Sequence, residues 1–280
     1  MPECAEVRIM SDFVNYISHE ELFFESIEKS EVSKVKTELN PFDGGVFTVS
    51  AKSRGKEMML ELELVGGDID GEVVKKLLVT LGMSGNWSFV RPSAEHFETM
   101  MKHAHLRLRT VKGNYLVLHD VRRFAKWKWV DKWTVGRGYC PLTEFNEFNG
   151  VIKEHWRTHK HFDSPLCELL MSQYWFNGVG NYLRAEILER LDVNPFQPAN
   201  ALSPEKVDEL IKLTHLCIRD AYSLGGGQLK DWQNPSGTDG RSFKEWMKCY
   251  GKGESLIDNT KRRFWYNPKW KEVVPEKYKV

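Results

Sequence analysis

From Val46 the apolar residues fall at every second position. Phe47, Val49 and Ala51 alternate with polar neighbours, Ser53-Arg54-Gly55-Lys56 follows, and Met58, Leu60, Leu62 and Leu64 resume the alternation. Side chains of a strand point to opposite faces with a period of two, so this pattern cannot line one face of a helix. It predicts a β-hairpin with Lys56 at its tip or just beyond. A chain carrying such a hairpin must cover its apolar face with more sheet or with helix. The tip lysine is either a solvated turn residue or a side chain carried into a groove.

Leu77–Leu81, Trp87–Val90, Ala104–Thr110 and Tyr115–His119 read as further strands. The first ~130 residues therefore form a β-rich domain, a sandwich or barrel, with one or two helices. One helix is predicted over residues 5–17, where Val7, Met10, Val14 and Ile17 recur at helical spacing. The glycine-containing run Trp133–Cys140 (WTVGRGYC) marks a hinge, after which the pattern turns helical. Asn146–His159, Pro165–Tyr174, Tyr182–Leu191 and Pro204–Leu224 fit helices. Between the second and third, Phe176-Asn177-Gly178-Val179-Gly180-Asn181 makes a tight turn. Asn181 is placed to cap the next helix, whose first N–H groups suit a phosphate. Gly225-Gly226-Gly227 ends the last long helix, and a polar loop runs on to Gly240. Ser242–Cys249 reads as helical or extended. Two short strands then surround a turn that puts Arg262 or Arg263 at its tip.

Composition narrows the class. The chain of 280 residues is long enough for two domains, and 41% hydrophobic with 28% charged residues is ordinary for a globular protein. No run reaches the ~18 apolar residues of a membrane span, and the start has no apolar secretory stretch, so an intracellular home is expected. The five cysteines form no CxxC pair, which argues for free thiols rather than a disulfide framework or zinc knuckle. Net charge is only +1. Basic residues nevertheless gather with aromatics at Arg122–Lys132 and Lys261–Lys271, a distribution suited to nucleic acid.

Three stretches carry chemistry. Met1 precedes Pro2, and its removal would free a secondary amine. An α-amino group has a reference pKa near ~8, against ~10.4 for lysine, so it deprotonates more readily and can form a Schiff base with a sugar carbon. Glu3 could move the proton such a step requires. Gly82-Met83-Ser84-Gly85 presents a methionine, and Asp120-Val121-Arg122-Arg123-Phe124 presents two arginines and a phenylalanine. Such apolar and cationic groups can wedge into a base stack and fill the space left by an extruded nucleotide.

In this order the motifs resemble the Fpg/Nei family of DNA glycosylases over nearly the whole chain. Pro2-Glu3 with Glu6-Val7 resembles the family's start, with Cys4-Ala5 in place of Gly-Pro. RGKEMMLEL resembles its catalytic-lysine hairpin, LGMSG and DVRRF its void-filling loops, and FNGVGNYLRAEIL its helix–two-turn–helix (H2TH) element. HAHLRLRT and GRGYC resemble the endonuclease VIII-like branch with a zincless finger.

The resemblance implies an α+β multidomain fold. An N-terminal β-sandwich with flanking helices (residues 1–133) is joined by a hinge (134–145) to a helical H2TH domain (146–241). A zincless-finger β-hairpin and tail follow (242–280), with DNA in the cleft between the domains. The implied catalytic residues are Pro2 as nucleophile, Glu3 for proton transfer, and Lys56 and Arg262 on phosphates. The implied DNA-binding residues are Asn181 and Arg263 with the void fillers Met83, Arg122 and Phe124. Glu6 is grouped with them as the residue that orients the N-terminus. No cofactor and no metal are expected. The positions matching the finger's two cysteine pairs are Leu256 and Asn259, then Asn267 and Trp270, and none is a thiolate. Leu256, Ile257, Phe264, Trp265 and Trp270 are expected to hold the hairpin by apolar contact instead.

The implied activity is a bifunctional glycosylase/AP lyase, acting as a monomer on damaged double- or single-stranded DNA. It would favour oxidised pyrimidines, ring-opened purines and hydantoins over 8-oxoguanine, because Gly225–Gly240 offers little to order a lid. The alternatives are a non-catalytic damaged-DNA-binding module, which applies if Met1 stays in place, and an RNA-binding protein, which needs neither Pro2-Glu3 nor the hairpin lysine.

Overall fold

In the computed structural model, residues 2–39, 41–42, 44–66, 74–227, 234–235 and 240–278 are described. The expectations about removal of Met1 and about much of the Gly225–Gly240 loop fall outside these residues. The chain divides into two units. The first comprises Met1–Pro2, Glu6–Thr134 and Gly225–Asp239, and the second comprises Glu3–Ala5, Val135–Leu224 and Gly240–Val280.

Alternating sequence becomes sheet in the first unit. Its strands are β1 (Phe24–Lys29), β2 (Phe47–Arg54), β3 (Glu57–Leu64), β4 (Val74–Thr80), β5 (Asn86–Val90), β6 (Ala104–Thr110), β7 (Tyr115–His119) and β8 (Lys126–Trp129). They pair antiparallel in the order β5-β7-β6-β1-β2-β3-β4-β8. β1 meets β2 through the single pair Phe24↔Phe47, whereas β2 and β3 pair residue by residue from Phe47↔Leu64 to Arg54↔Glu57. The weak join separates two four-stranded halves of a sandwich. The stacked rings of Phe24 and Phe47, 6.1 Å apart, sit at the join.

The β2–β3 connection is the two residues Gly55-Lys56. Gly55 adopts φ +58°, a region that side chains disfavour. Lys56 is thereby presented half-buried from the tip.

Helix α1 runs over Cys4–Glu21, longer than the apolar spacing alone marks. Its Asn15 side chain bonds both the N–H and the carbonyl of Ala51 at 2.7 and 2.9 Å, tying helix to β2. Met10 Sδ accepts the N–H of buried Trp87. A second, five-residue helix, α2, covers Phe97–Met101.

Two strands escape a period-two reading. A register shift between Phe24 and Ser26 breaks the alternation of β1, and β8 is only four residues long.

The second unit holds helices α3 (Phe145–His155), α4 (Leu166–Leu169), α5 (Asn181–Leu191), α6 (Pro204–Ser223) and α7 (Arg241–Trp246), then the hairpin β9 (Glu254–Ile257) and β10 (Arg263–Tyr266). Phe148, Phe162, Leu170, Trp175, Phe176, Tyr182 and Ile218 are among its buried core. α6 starts as its sequence dictates, with Ser203 accepting the Lys206 N–H and Pro204 in the first turn.

The helix expected over 165–174 ends after one turn. Gln173 donates to the carbonyls of Met171 and Val179 and accepts the Gly178 N–H, so its side chain satisfies backbone groups that a continued helix would have used.

Candidate active site

The start of α5 in the second unit is capped from outside the helix. Its N-cap is Gly180, whose side chain offers nothing, and Asn181 is already the first helical residue. The expected Asn181 cap is therefore corrected. The cap is Glu3, brought from the other end of the sequence. Its Oε2 accepts the N–H of Gly180 at 2.6 Å and of Leu183 at 3.3 Å, and its Oε1 accepts that of Tyr182 at 3.0 Å. Glu3 is 2% exposed. A carboxylate against the free N–H groups of a helix start is favourable both as acceptor and against the helix dipole. These three N–H groups are consequently taken and do not form the open phosphate site expected from the glycine turn. The next peptide unit is held as well, because the Cys4 N–H donates to the Gly178 carbonyl at 3.0 Å. Pro2, one residue before this anchor, is buried.

Asn181 turns its side chain the other way. Its Oδ1 accepts from Arg184 Nη2 at 2.8 Å. Nη1 of the same guanidinium bonds the Cys167 carbonyl at 2.8 Å and Asp258 Oδ2 at 2.5 Å. Both members of the Arg184–Asp258 pair are closed to solvent.

The other oxygen of Asp258 organises the β9–β10 turn. Oδ1 accepts the N–H groups of Thr260 and Arg262 at 2.9 and 3.0 Å and the Thr260 hydroxyl at 2.6 Å. Burial pushes the Asp258 carboxyl up, but hydrogen bonds from Thr260, Arg184 and the Arg262 N–H, with the Arg184 charge, outweigh it and hold the group below its ordinary value. Arg262 is exposed in the turn, while Arg263 is the first residue of β10 and bonds Ser255 Oγ at 3.0 Å.

A second charged residue of α5 holds the approach to this hairpin. Glu186, fully buried, accepts the N–H groups of Lys248, Cys249 and Tyr250 and pairs with Arg190. Phe264 is buried and Leu256, Trp265 and Trp270 are partly so, but Ile257 is 48% exposed. Apolar contact alone is thus not what ties the hairpin down. Two ionic groups of α5 share the task, which a sequence scan for apolar residues misses. Among the described residues no cluster of three or more His, Cys, Asp or Glu could hold a metal ion. The five cysteines are buried thiols outside any disulfide.

In the first unit a single carboxylate joins the two loops expected to fill the void. Asp120 is fully buried. Oδ1 accepts the Ser84 hydroxyl at 2.5 Å and the Arg122 N–H at 3.1 Å, and Oδ2 accepts the N–H groups of Phe124 and Ala125 at 2.6 and 2.7 Å. Ser84 follows Met83, so the Met83 loop and the Arg122–Phe124 loop are locked side by side. Gly82 allows this approach, since a Cβ there would stand 2.7 Å from the Phe124 carbonyl carbon. Met83 is half-buried and both Arg122 and Phe124 are exposed, with the guanidinium 4.9 Å from the ring.

Glu6 lies inside. It is fully buried and its Oε1 accepts the Gly227 N–H at 2.9 Å, which ties Gly227 to α1.

An antiparallel sandwich with an N-terminal helix, a helical unit and a closing hairpin is the fold of the formamidopyrimidine-DNA glycosylases. Lactococcus lactis Fpg bound to abasic-site-containing DNA superposes with a TM-score of 0.74 at 21% identity, covering 96% of this chain and 98% of that one. MutM (Fpg) from Thermus thermophilus superposes at 0.69 with 23% identity, covering 98% and 100%. Residues 1–127 match the formamidopyrimidine-DNA glycosylase N-terminal domain. The human endonuclease 8-like 1 is 36% identical over 95% of this chain and 72% of its own length, and the mouse protein is 35% identical over the same shares. The chain belongs to the Fpg/Nei family of DNA glycosylase/AP lyases and is an enzyme of base excision repair. Among the described residues no helix is long and apolar enough to cross a membrane.

Proposed function

We propose that this enzyme excises oxidised bases from DNA with the amine of Pro2 as nucleophile, once Met1 is removed, and cuts the strand by β- and then δ-elimination. The observation that carries the reading is the locking of Glu3 onto the start of the helix that bears Asn181. That anchor fixes the residue adjoining the nucleophile to a rigid element, which near-attack geometry requires.

Pro2 nitrogen attacks C1′ of the damaged nucleotide, the departing base takes up the amine proton, and the C1′–O4′ bond then opens as Glu3 delivers a proton to O4′. The resulting iminium ion acidifies the 2′ position and permits elimination of the 3′ and then the 5′ phosphate. Lys56, Asn181 and Arg262 take phosphates near the lesion. Met83, Arg122 and Phe124, set side by side by Asp120, enter the stack and offset part of the few kcal/mol that extruding a base costs. Arg263, committed to Ser255, has a lesser part.

The β9–β10 hairpin acts as a zincless finger, and the helices around α5 act as the H2TH element. Damaged DNA is the partner, as it is in the Lactococcus lactis complexes, and the protein works as a monomer. Oxidised pyrimidines, ring-opened purines and hydantoins are the preferred lesions, and 8-oxoguanine is a poorer one.

The test is borohydride trapping on an oligonucleotide with one abasic site, followed by peptide mapping. The adduct should sit on Pro2 of a protein lacking Met1 and vanish in Pro2→Thr. Undiminished trapping in that variant overturns the assignment.

A further inference from the structure

We propose that Arg184 and Asp258 are positioning residues that set Asn181 and Arg262 as one two-point phosphate clamp. The inference rests on the phosphate roles proposed above for those two residues. Its motive is one continuous chain of bonds. Asn181 Oδ1 meets Arg184 Nη2, Arg184 Nη1 meets Asp258 Oδ2, and Asp258 Oδ1 meets the Arg262 N–H.

The chemistry of each member gives the chain its effect. A guanidinium can only donate, so Asn181 must turn its oxygen toward Arg184. That leaves the Nδ2 amide, a donor, as the end that can serve a phosphate. The opposite amide orientation would offer phosphate an oxygen and be repelled. At the far end, Asp258 draws in the N–H groups of residues 260 and 262, and Lys261 between them adopts φ +59°. This conformation turns Arg262 out of the hairpin, where it is exposed.

Arg184 is further held by the Cys167 carbonyl and by the face of Phe264, 4.7 Å from its guanidinium carbon. The Arg263 carbonyl lies 3.5 Å from Nη2. The guanidinium thus cannot shift without moving both ends. With both ionic partners closed to solvent, the link is rigid rather than a dynamic surface pair.

Neither residue touches DNA in this scheme, so the test must read phosphate contacts and not only activity. The dissociation constant for a duplex bearing a tetrahydrofuran abasic analogue is measured between 50 and 200 mM salt. Each lost phosphate contact lowers the slope of log affinity against log salt by about 0.9, which makes the fall in affinity over that range about threefold smaller. Asn181→Ala, which removes a neutral donor, should weaken binding at every salt concentration and leave the slope as it is, whereas Arg262→Ala should show this change. Asp258→Asn should show it too, at unaltered near-ultraviolet circular dichroism, and adding Arg262→Ala to it should lower the slope no further. A folded Asp258→Asn protein with the wild-type slope, or one whose effect adds fully to Arg262→Ala, overturns the inference.

Should Asp258→Asn unfold because it strands the buried arginine, the charge-free pair Arg184→Met with Asp258→Leu replaces it, since swapping both members of a buried pair for apolar groups tends to preserve folding. That protein should lose about one contact's worth of slope, from Arg262, and bind more weakly at every salt concentration through the loss of Asn181. A wild-type slope in it also overturns the inference. If instead Arg262→Ala leaves the slope unchanged and Asn181→Ala leaves the affinity unchanged, the phosphate roles fall first and the clamp with them.

Discussion

Replacing Glu3 by Gln changes one atom, and the structure states what that atom meets. The carboxylate accepts the Gly180 and Leu183 N–H groups on Oε2 and the Tyr182 N–H on Oε1. Gln keeps an oxygen on one side only. Its best placement puts that oxygen against Gly180 and Leu183 and leaves an NH2 group facing the Tyr182 N–H. One buried donor then has no acceptor, which costs about 1–3 kcal/mol. Loss of the negative charge at the helix start adds about 0.3–1 kcal/mol. The sum, about 1–4 kcal/mol, lowers the melting temperature by roughly 3–16 °C at ~2–4 °C per kcal/mol for a chain of this size class.

Scanning calorimetry reads the shift directly. Below the melting range, single-turnover assays should show base release lost far more than cleavage of a preformed abasic site, because the aldehyde already lacks the base. An unchanged melting temperature would refute the capping argument. Equal loss of both activities in folded protein would refute the proton-transfer role.

Asp120→Asn should cost about 1–3 kcal/mol, since Ser84 can turn its hydroxyl to accept while the Arg122 N–H loses its partner. Asp120→Ala strands all four donors and should cost more, and both variants should slow base release from duplex more than from single strands, measured by single-turnover rates. Prolonged chelation should leave activity and melting temperature unchanged, and elemental analysis should find no stoichiometric zinc; one zinc per chain with loss of activity on its removal would contradict the finger reading. Burial holds the His105 imidazole below its ordinary value. The native state therefore binds fewer protons than the unfolded state as pH falls below about 6.5, and stability declines from there toward the folded-state value. Melting temperatures between pH 7.5 and 5.5 should show that decline, and His105→Gln should reduce it, since His119 is lowered by burial as well and His159 is also lowered.

Local pattern was enough for much of the architecture. The period-two run from Phe47 to Leu64 dictates a hairpin, and Gly55 dictates where it turns, because strand alternation and positive φ are properties of a few neighbouring residues. Ser203-Pro204 announces the start of α6 for the same reason. Ordered motifs also carried the family. What the chain alone could not disclose is which polar groups answer one another. Gly180 and Glu3 stand 177 positions apart, Arg184 and Asp258 stand 74 apart, and Ser84 and Asp120 stand 36 apart. Nothing in the local sequence of Asn181 tells that its cap arrives from residue 3 or that its amide is turned by Arg184. A hydrophobic pattern is legible because it repeats along the chain. A buried carboxylate has no such period, and its partners are set only when folding excludes water and leaves each enclosed donor a single acceptor to find.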